Sequence, residues 1–264
     1  MPNLSETNYN LRLLDELSKR GVGLSRIHPL TQLATTFAFL IIVVSFDARE
    51  ITGLLPLVLF PSILFIVNEI PLKPILLRLA FALPFVLGIG ILNPLFDRQP
   101  IIIGTLTLAR GWFTFLSIFM KGILTILAAL LLLSSCGLPN LAKSLRILKV
   151  PKFLVLQLLL TYRYITVLME EVFRILTAYA LRAPGQKGVG YKAWGSLLGQ
   201  LLLRTFDRAE RIYQAMRLRG FDGDYSDKPI GRIKPGDIFY GLFWISYFLL
   251  ARWMNIPEFL GGLL

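Results

Sequence analysis

The chain has 264 residues, of which 55% are hydrophobic and 17% charged, with a mean hydropathy of +0.65. That balance excludes an ordinary soluble domain and points to an integral membrane protein. One Cys (Cys136) excludes an intrachain disulfide and, with one His (His28), a Cys-rich metal site, while the net charge of +12 makes its location along the chain the next question.

Residues 1–25 carry Glu6, Asp15 and Glu16 and no sustained apolar core, so they are expected to form a short amphipathic cytoplasmic helix, with Leu11, Leu14 and Leu17 on one face, and not a cleavable signal. His28 stands at a helix entry before Pro29, a structural position. The first apolar stretch runs from Pro29 to Phe46 behind Lys19, Arg20 and Arg26, which places its start inside. The second runs from Ile51 to Val67 and contains Pro56 and Pro61, tolerable where neighbouring helices satisfy the freed carbonyls. The third spans Ile75 to Leu92, with Asn93-Pro94 expected to end it outside. Ile101 to Ala109 reads either as a short hairpin or as a re-entrant turn. The fourth span is Trp112 to Leu133, and a last one runs from about Ile238 to Met254. At about 1.5 Å per residue these stretches cross a hydrocarbon core of roughly 30 Å with modest tilt or thinning. Lys121, mid-span in the fourth, is either a functional ion or a lysine satisfied by a carbonyl or polar neighbour.

Residues 137–235 hold 17 of the 28 Lys and Arg against 7 of the 16 acids, a net +10. In a membrane chain the positive-inside rule makes this a cytoplasmic block, and a nucleic-acid partner is not expected. It opens with a short amphipathic helix, Pro139 to Leu148. A long helix follows Val150-Pro151 and runs to about Arg182, its first half apolar enough for the membrane interface. After a Gly-rich link, a second long helix runs from about Ala193 to Arg219. Its apolar stripe includes Trp194, Leu198, Leu201, Phe206, Ile212 and Met216, and Asp207 and Arg211 stand at i, i+4 on the charged side. Gly195 and Gly199 make a single GxxxG, a weak packing signal.

The two long helices end alike. Arg174–Arg182 and Arg211–Arg219, 37 positions apart, share five of nine residues, with an acid four residues ahead of each, Glu170 and Asp207. Each then meets a helix breaker, Pro184-Gly185 or Gly220. Arginine keeps its charge and offers a rigid five-donor fork, so a matched pair of such ends suits a two-point plug into carboxylate-bearing partners. The plainer alternative is that each arginine complements its helix dipole. No P-loop, Ser-His-Asp or metal-ligand pattern is present, so no catalytic, cofactor or metal residue is assigned and the chain is not expected to be an enzyme.

These residues resemble a known family. The features that carry the likeness are His28-Pro29-Leu30-Thr31, Pro84-Phe85, Asn93-Pro94-Leu95-Phe96, Tyr162-Arg163-Tyr164 with Glu170, Glu171 and Arg174, and above all Asp207 to Phe221. Together they resemble the transmembrane T component of energy-coupling factor transporters, of the CbiQ-type cobalt/nickel subfamily, over roughly residues 26 to 223. The resemblance implies a non-catalytic scaffold in the inner (plasma) membrane. It implies two ABC-type ATPase subunits and a substrate-binding membrane protein (the S component) as partners beside the lipid bilayer, no cofactor, and cobalt or nickel as cargo. It also implies that Leu181-Arg182-Ala183 and Leu218-Arg219-Gly220 insert into the ATPases, where the family more often carries Ala-Arg-Gly or Ala-Arg-Ser. A stand-alone carrier or an intramembrane enzyme is the rival reading.

The expected architecture is an all-α integral membrane protein of about five transmembrane helices, with long amphipathic coupling helices before the last span. Residues 1–28 form a cytoplasmic N-terminal segment, 29–136 carry four spans, 137–235 form the cytoplasmic or interfacial coupling block, and 236–264 hold the last span and the C-terminus.

Overall fold

The computed structural model describes residues 27–47, 50–96, 100–103, 106–183, 185–186, 188–223 and 231–253. The amphipathic helix expected near Leu11 to Leu17 lies outside them. The described chain is all-helical apart from one short hairpin. Its helices are α1 (Pro29–Ser45), α2 (Leu59–Val67, preceded by 3-10 turns at Thr52–Leu54 and Pro56–Val58), α3 (Leu72–Phe96), α4 (Arg110–Cys136), α5 (Leu138–Ile147), α6 (Lys152–Arg182), α7 (Trp194–Leu218) and α8 (Pro235–Trp253). Between α3 and α4, β1 (Pro100–Ile103) pairs antiparallel with β2 (Leu106–Ala109), Pro100 opposite Ala109 and Ile103 opposite Leu106. The stretch 101–109 is therefore a hairpin. Of the described residues, 27–141 and 231–253 form one compact unit and 142–223 the other.

In the first unit α1, α2 and α8 close around an aromatic core. Phe60 packs at 4.7 Å from Phe39, 4.8 Å edge-on from Trp244 and 5.0 Å edge-on from Phe248. Such tilted and T-shaped pairs are the favoured arrangement of ring quadrupoles. The carbonyl of Pro56, in the proline-broken run before α2, accepts a hydrogen bond from Tyr247 Oη at 2.8 Å. Tyr247 of α8 thus ties the run before α2 to a neighbouring helix, on a carbonyl that the Leu59 N–H also reaches. His28 caps α1, its Nδ1 accepting from Leu30 N at 3.2 Å. Its own N–H goes to Asp237 Oδ1 at 3.1 Å, while Asp237 Oδ2 accepts from Lys234 N at 2.8 Å. The buried carboxylate therefore caps the start of α8 in the manner of an acid reaching back to the N-cap, and pins the start of α1 beside it.

Helix α3 corrects one expectation. Asn93-Pro94 does not end it: the helix passes through both Pro84 and Pro94 to Phe96. Pro94 has no N–H to give the carbonyl four residues back, Gly90, and Asn93 Nδ2 supplies one at 3.3 Å. The adjacent helix α4 also comes very close. A Cβ on Gly111 would stand 2.5 Å from Pro94 Cα and 2.6 Å from Asn93 O, and one on Gly122 would meet Val86 Cγ1 at 2.6 Å.

Helices α1 and α4 run antiparallel. Ser135 Oγ donates to Gln32 Oε1 (3.0 Å) near the start of α1, and Lys121 meets its end. Lys121 Nζ donates to the carbonyls of Phe46 at 2.7 Å and Asp47 at 2.9 Å. Arg252 closes on the same end from α8, with Nη2 3.3 Å from Ser45 O, Nη1 3.4 Å from Glu50 Oε2 and the guanidinium 4.7 Å from the Phe46 ring centre. Two cations thus serve the last carbonyls and the negative dipole end of α1. The mid-span lysine is an anchor for a neighbouring helix. The eleven residues of α4 ahead of it continue about 16 Å past that end.

Three described helices are long and apolar enough to cross a membrane, over Leu72–Pro94, Gly111–Cys136 and Lys152–Arg182. Pro29–Ser45 and Thr52–Val67 are shorter apolar helices. Helix α8, the expected last span, has 19 residues and is not among the three; its buried side, with Trp244 and Phe248, belongs to the core. The outward faces are apolar: Phe81 is 86% exposed and Phe85 75%. A surface of that kind is costly in water and natural in lipid, so the protein is a membrane protein.

Candidate functional site

The second unit carries the arginine repeat. Helix α6 has 31 residues, about 46 Å, and α7 has 25, about 37 Å. They meet near their middles. Arg204 Nη1 lies 2.6 Å from Glu171 Oε1, and Arg174 Nη1 lies 3.7 Å from Glu171 Oε2. Glu171 is 13% exposed and Arg204 55%. The cross-helix acid is thus Glu171, one residue past the Glu170 that the repeat aligns with Asp207. The i, i+4 pair expected between Asp207 and Arg211 does not form. Asp207 instead lines a small polar bay with Glu171, Arg204, Arg208 and Arg211.

Beyond the crossing each helix runs out to its tip, about 16 Å from Glu171 to Arg182 and about 22 Å from Arg204 to Arg219. Both tips are open. Leu181 is 79% exposed and Leu218 89%, and Arg182 and Arg219 beside them are exposed too. Neither arginine has an ion-pair or side-chain hydrogen-bond partner among the described residues. Arg217, by contrast, bends back to 6.0 Å from the Tyr213 ring centre.

The two ends are alike in sequence and different in closure. Helix α7 finishes in a Schellman motif. Gly220 takes φ +81°, its N–H goes to Arg217 O (3.0 Å), and Phe221 N–H goes to Met216 O (3.0 Å). Glycine is required there because a Cβ resists the left-handed region. Phe221 and Met216 line the same apolar cleft, the hydrophobic partner of that motif. Helix α6 ends at Ala183, whose N–H goes to Tyr179 O at 3.0 Å. Tyr179 then holds the link that follows: its hydroxyl donates to Gln186 Oε1 (2.9 Å) and accepts from Gly190 N (3.3 Å). The second copy has Met216 where the first has Tyr179, so it must close by backbone alone.

The six residues expected to form the plug therefore sit as Leu181, Arg182 and Ala183 at the end of α6 and Leu218, Arg219 and Gly220 at the end of α7. What spacing could not reveal was Glu171–Arg204, since Glu171 falls outside the aligned repeat. Among the described residues nothing lies within 4 Å of a Cβ built on Gly195 or Gly199, so that GxxxG packs none of the described helices. Among the described residues no group of three or more His, Cys, Asp or Glu is arranged to hold a metal ion, and Cys136 is buried and free. Chemically, the unit offers two outward guanidinium forks, each with an apolar neighbour, on levers joined at one ion pair.

Comparison with known proteins follows the same lines. A stretch of the nickel permease LarQ of Lactiplantibacillus plantarum is 30% identical over 86 residues, 33% of this chain and 32% of that protein. The cobalt transport protein CbiQ of Salmonella typhimurium is 28% identical over 109 residues, 40% of this chain and 48% of that one. The alignments thus span from a third to about half the length of these relatives. The family match is broader: the sequence fits the CbiQ family, described as cobalt transport protein, over residues 23–230. Covering helices α1 to α7 and both arginine tips, that match makes the chain a member of the CbiQ family of membrane transport proteins.

Proposed function

We propose that the chain is the transmembrane scaffold, or T component, of an energy-coupling factor importer. In this reading two ABC-type ATPases take the tips Leu181-Arg182-Ala183 and Leu218-Arg219-Gly220. A separate substrate-binding membrane protein (the S component) captures the cargo, cobalt or nickel, and the crossed helices pass ATPase motion to it. The observation that carries the reading is the pair of open Leu–Arg tips on a repeated helix end, both arginines without a partner among the described residues. A guanidinium that only complemented its dipole would have no need of an exposed leucine beside it in both copies. The family match and the cobalt and nickel relatives support a metal cargo. The net +10 of residues 137–235 supports a cytoplasmic placement of the tips and the N-terminus, in the inner membrane. ATP hydrolysis belongs to the partners; this chain is not an enzyme.

The test is co-purification of the ATPases and metal uptake for Arg182→Glu, Arg219→Glu and the pair. A charge-assisted contact at each tip is worth about 1.5–3 kcal/mol, and glutamate adds repulsion. With two plugs on one ATPase pair, the second contact is effectively intramolecular. Each single variant should therefore stay assembled while losing uptake, and the double variant should release the ATPases. A double variant that assembles and transports like wild type would sink the coupling role.

A further inference from the structure

The N-terminal half of α6 and the C-terminal half of α7 enclose an apolar cleft of about 630 Å³, lined by residues such as Phe153, Leu160, Tyr164, Phe206 and Ile212. At one end Leu168, Thr205 and Arg208 line both this cleft and the polar bay of about 150 Å³ that holds Arg204, Arg208 and Arg211. Glu171 in that bay is engaged by Arg204, and neither Arg208 nor Arg211 forms an ion pair of its own among the described residues. The bay thus sets three guanidiniums against two carboxylates, Glu171 and Asp207, and one carboxylate is already spoken for.

An apolar slot opening into a surplus of arginine is the complement of an amphiphile with an anionic head. We propose that this composite site binds one anionic phospholipid, its phosphodiester on Arg208 and Arg211 and one acyl chain in the cleft. Three observations favour a lipid. Helix α6 is long and apolar enough to cross a membrane, which puts the cleft within reach of lipid. The volume falls in the range of pockets that take a single small molecule, about 300–1,000 Å³. The guanidinium fork matches phosphate oxygens in pairs, and a zwitterionic head would bring an ammonium into a bay that already has excess positive charge. Basic recesses between membrane helices are where such headgroups settle. The arginine bay is separate from both exposed tips, whereas the far end of the cleft is lined by Met216 and Phe221 of the α7 cap.

The test uses the full chain in phosphatidylcholine vesicles doped with phosphatidylglycerol that carries a photoactivatable acyl chain, followed by peptide mapping. Label should concentrate on the segments Phe153–Leu168 and Phe206–Phe221. It should fall about fivefold for Arg208→Gln or Arg211→Gln and roughly thirtyfold for the pair, as expected for about one surface charge each. Arg182→Gln, at the open tip of α6, should leave it unchanged. Ala209→Trp fills the cleft without touching a charge and should block labelling even where an arginine variant folds poorly. Equal labelling by a phosphatidylcholine probe, indifference to both arginine changes, or loss of label when partner proteins assemble on the chain would each overturn the proposal. The last result would assign the cleft to a protein segment.

Discussion

Breaking the Glu171–Arg204 pair should cost the chain little stability and much of its transport. Arg204 is 55% exposed, so solvent screens the contact despite its 2.6 Å length, and about 0.2–1 kcal/mol is the expected coupling. Its leverage is larger than its energy. The Arg219 tip lies about 22 Å from the crossing, so a 10° change in crossing angle moves it by about 4 Å, more than a hydrogen bond can span. The perturbation is Glu171→Gln, Arg204→Gln and the double variant, with a charge reversal, Glu171→Arg with Arg204→Glu, as rescue. Thermal unfolding of the purified chain should yield a coupling energy of about 0.2–1 kcal/mol across the cycle. Metal uptake should drop in each single variant and recover in the reversed pair, with the ATPases still bound. A coupling energy near zero together with unchanged uptake would show that the crossing is held by packing alone and that the lever reasoning is wrong.

Other outcomes follow from neighbouring geometry. Gly111→Ala would set a methyl 2.5 Å from the Pro94 backbone, which cannot give way, so the purified chain should lose about 1–3 kcal/mol in thermal unfolding. Lys121→Met strands the carbonyls of Phe46 and Asp47 and should cost about 1.5–3 kcal/mol, with uptake falling only as folded protein falls; lost uptake at full stability would make Lys121 a functional ion instead. A cysteine at position 187 should resist labelling from outside intact cells if residues 137–235 are cytoplasmic, and Cys136, being buried, leaves a quiet background.

Much of this chain is written in local chemistry. Hydrophobic stretches, prolines and glycines place α1 to within one residue at each end and the ends of α6 and α7 to within about two, because each boundary depends on residues close by in the chain. The arginine tips were legible for the same reason, since a repeat and a breaker are sequence features. Pro94 misled because its helix is continued by a side-chain donor, Asn93, whose rotamer no propensity records. Tertiary structure decided the rest. Lys121 is satisfied from 74 and 75 residues away, His28 and Asp237 meet across 209, and Glu171 finds Arg204 across 33. In each case a buried or screened charge selects its partner by where packing delivers it, and spacing along the chain carries no trace of that delivery. The two tips make the contrast within one repeat. Sequence alone set an arginine at the end of each, and only folding decided that one leads into a link held by a tyrosine hydroxyl while the other closes on a left-handed glycine.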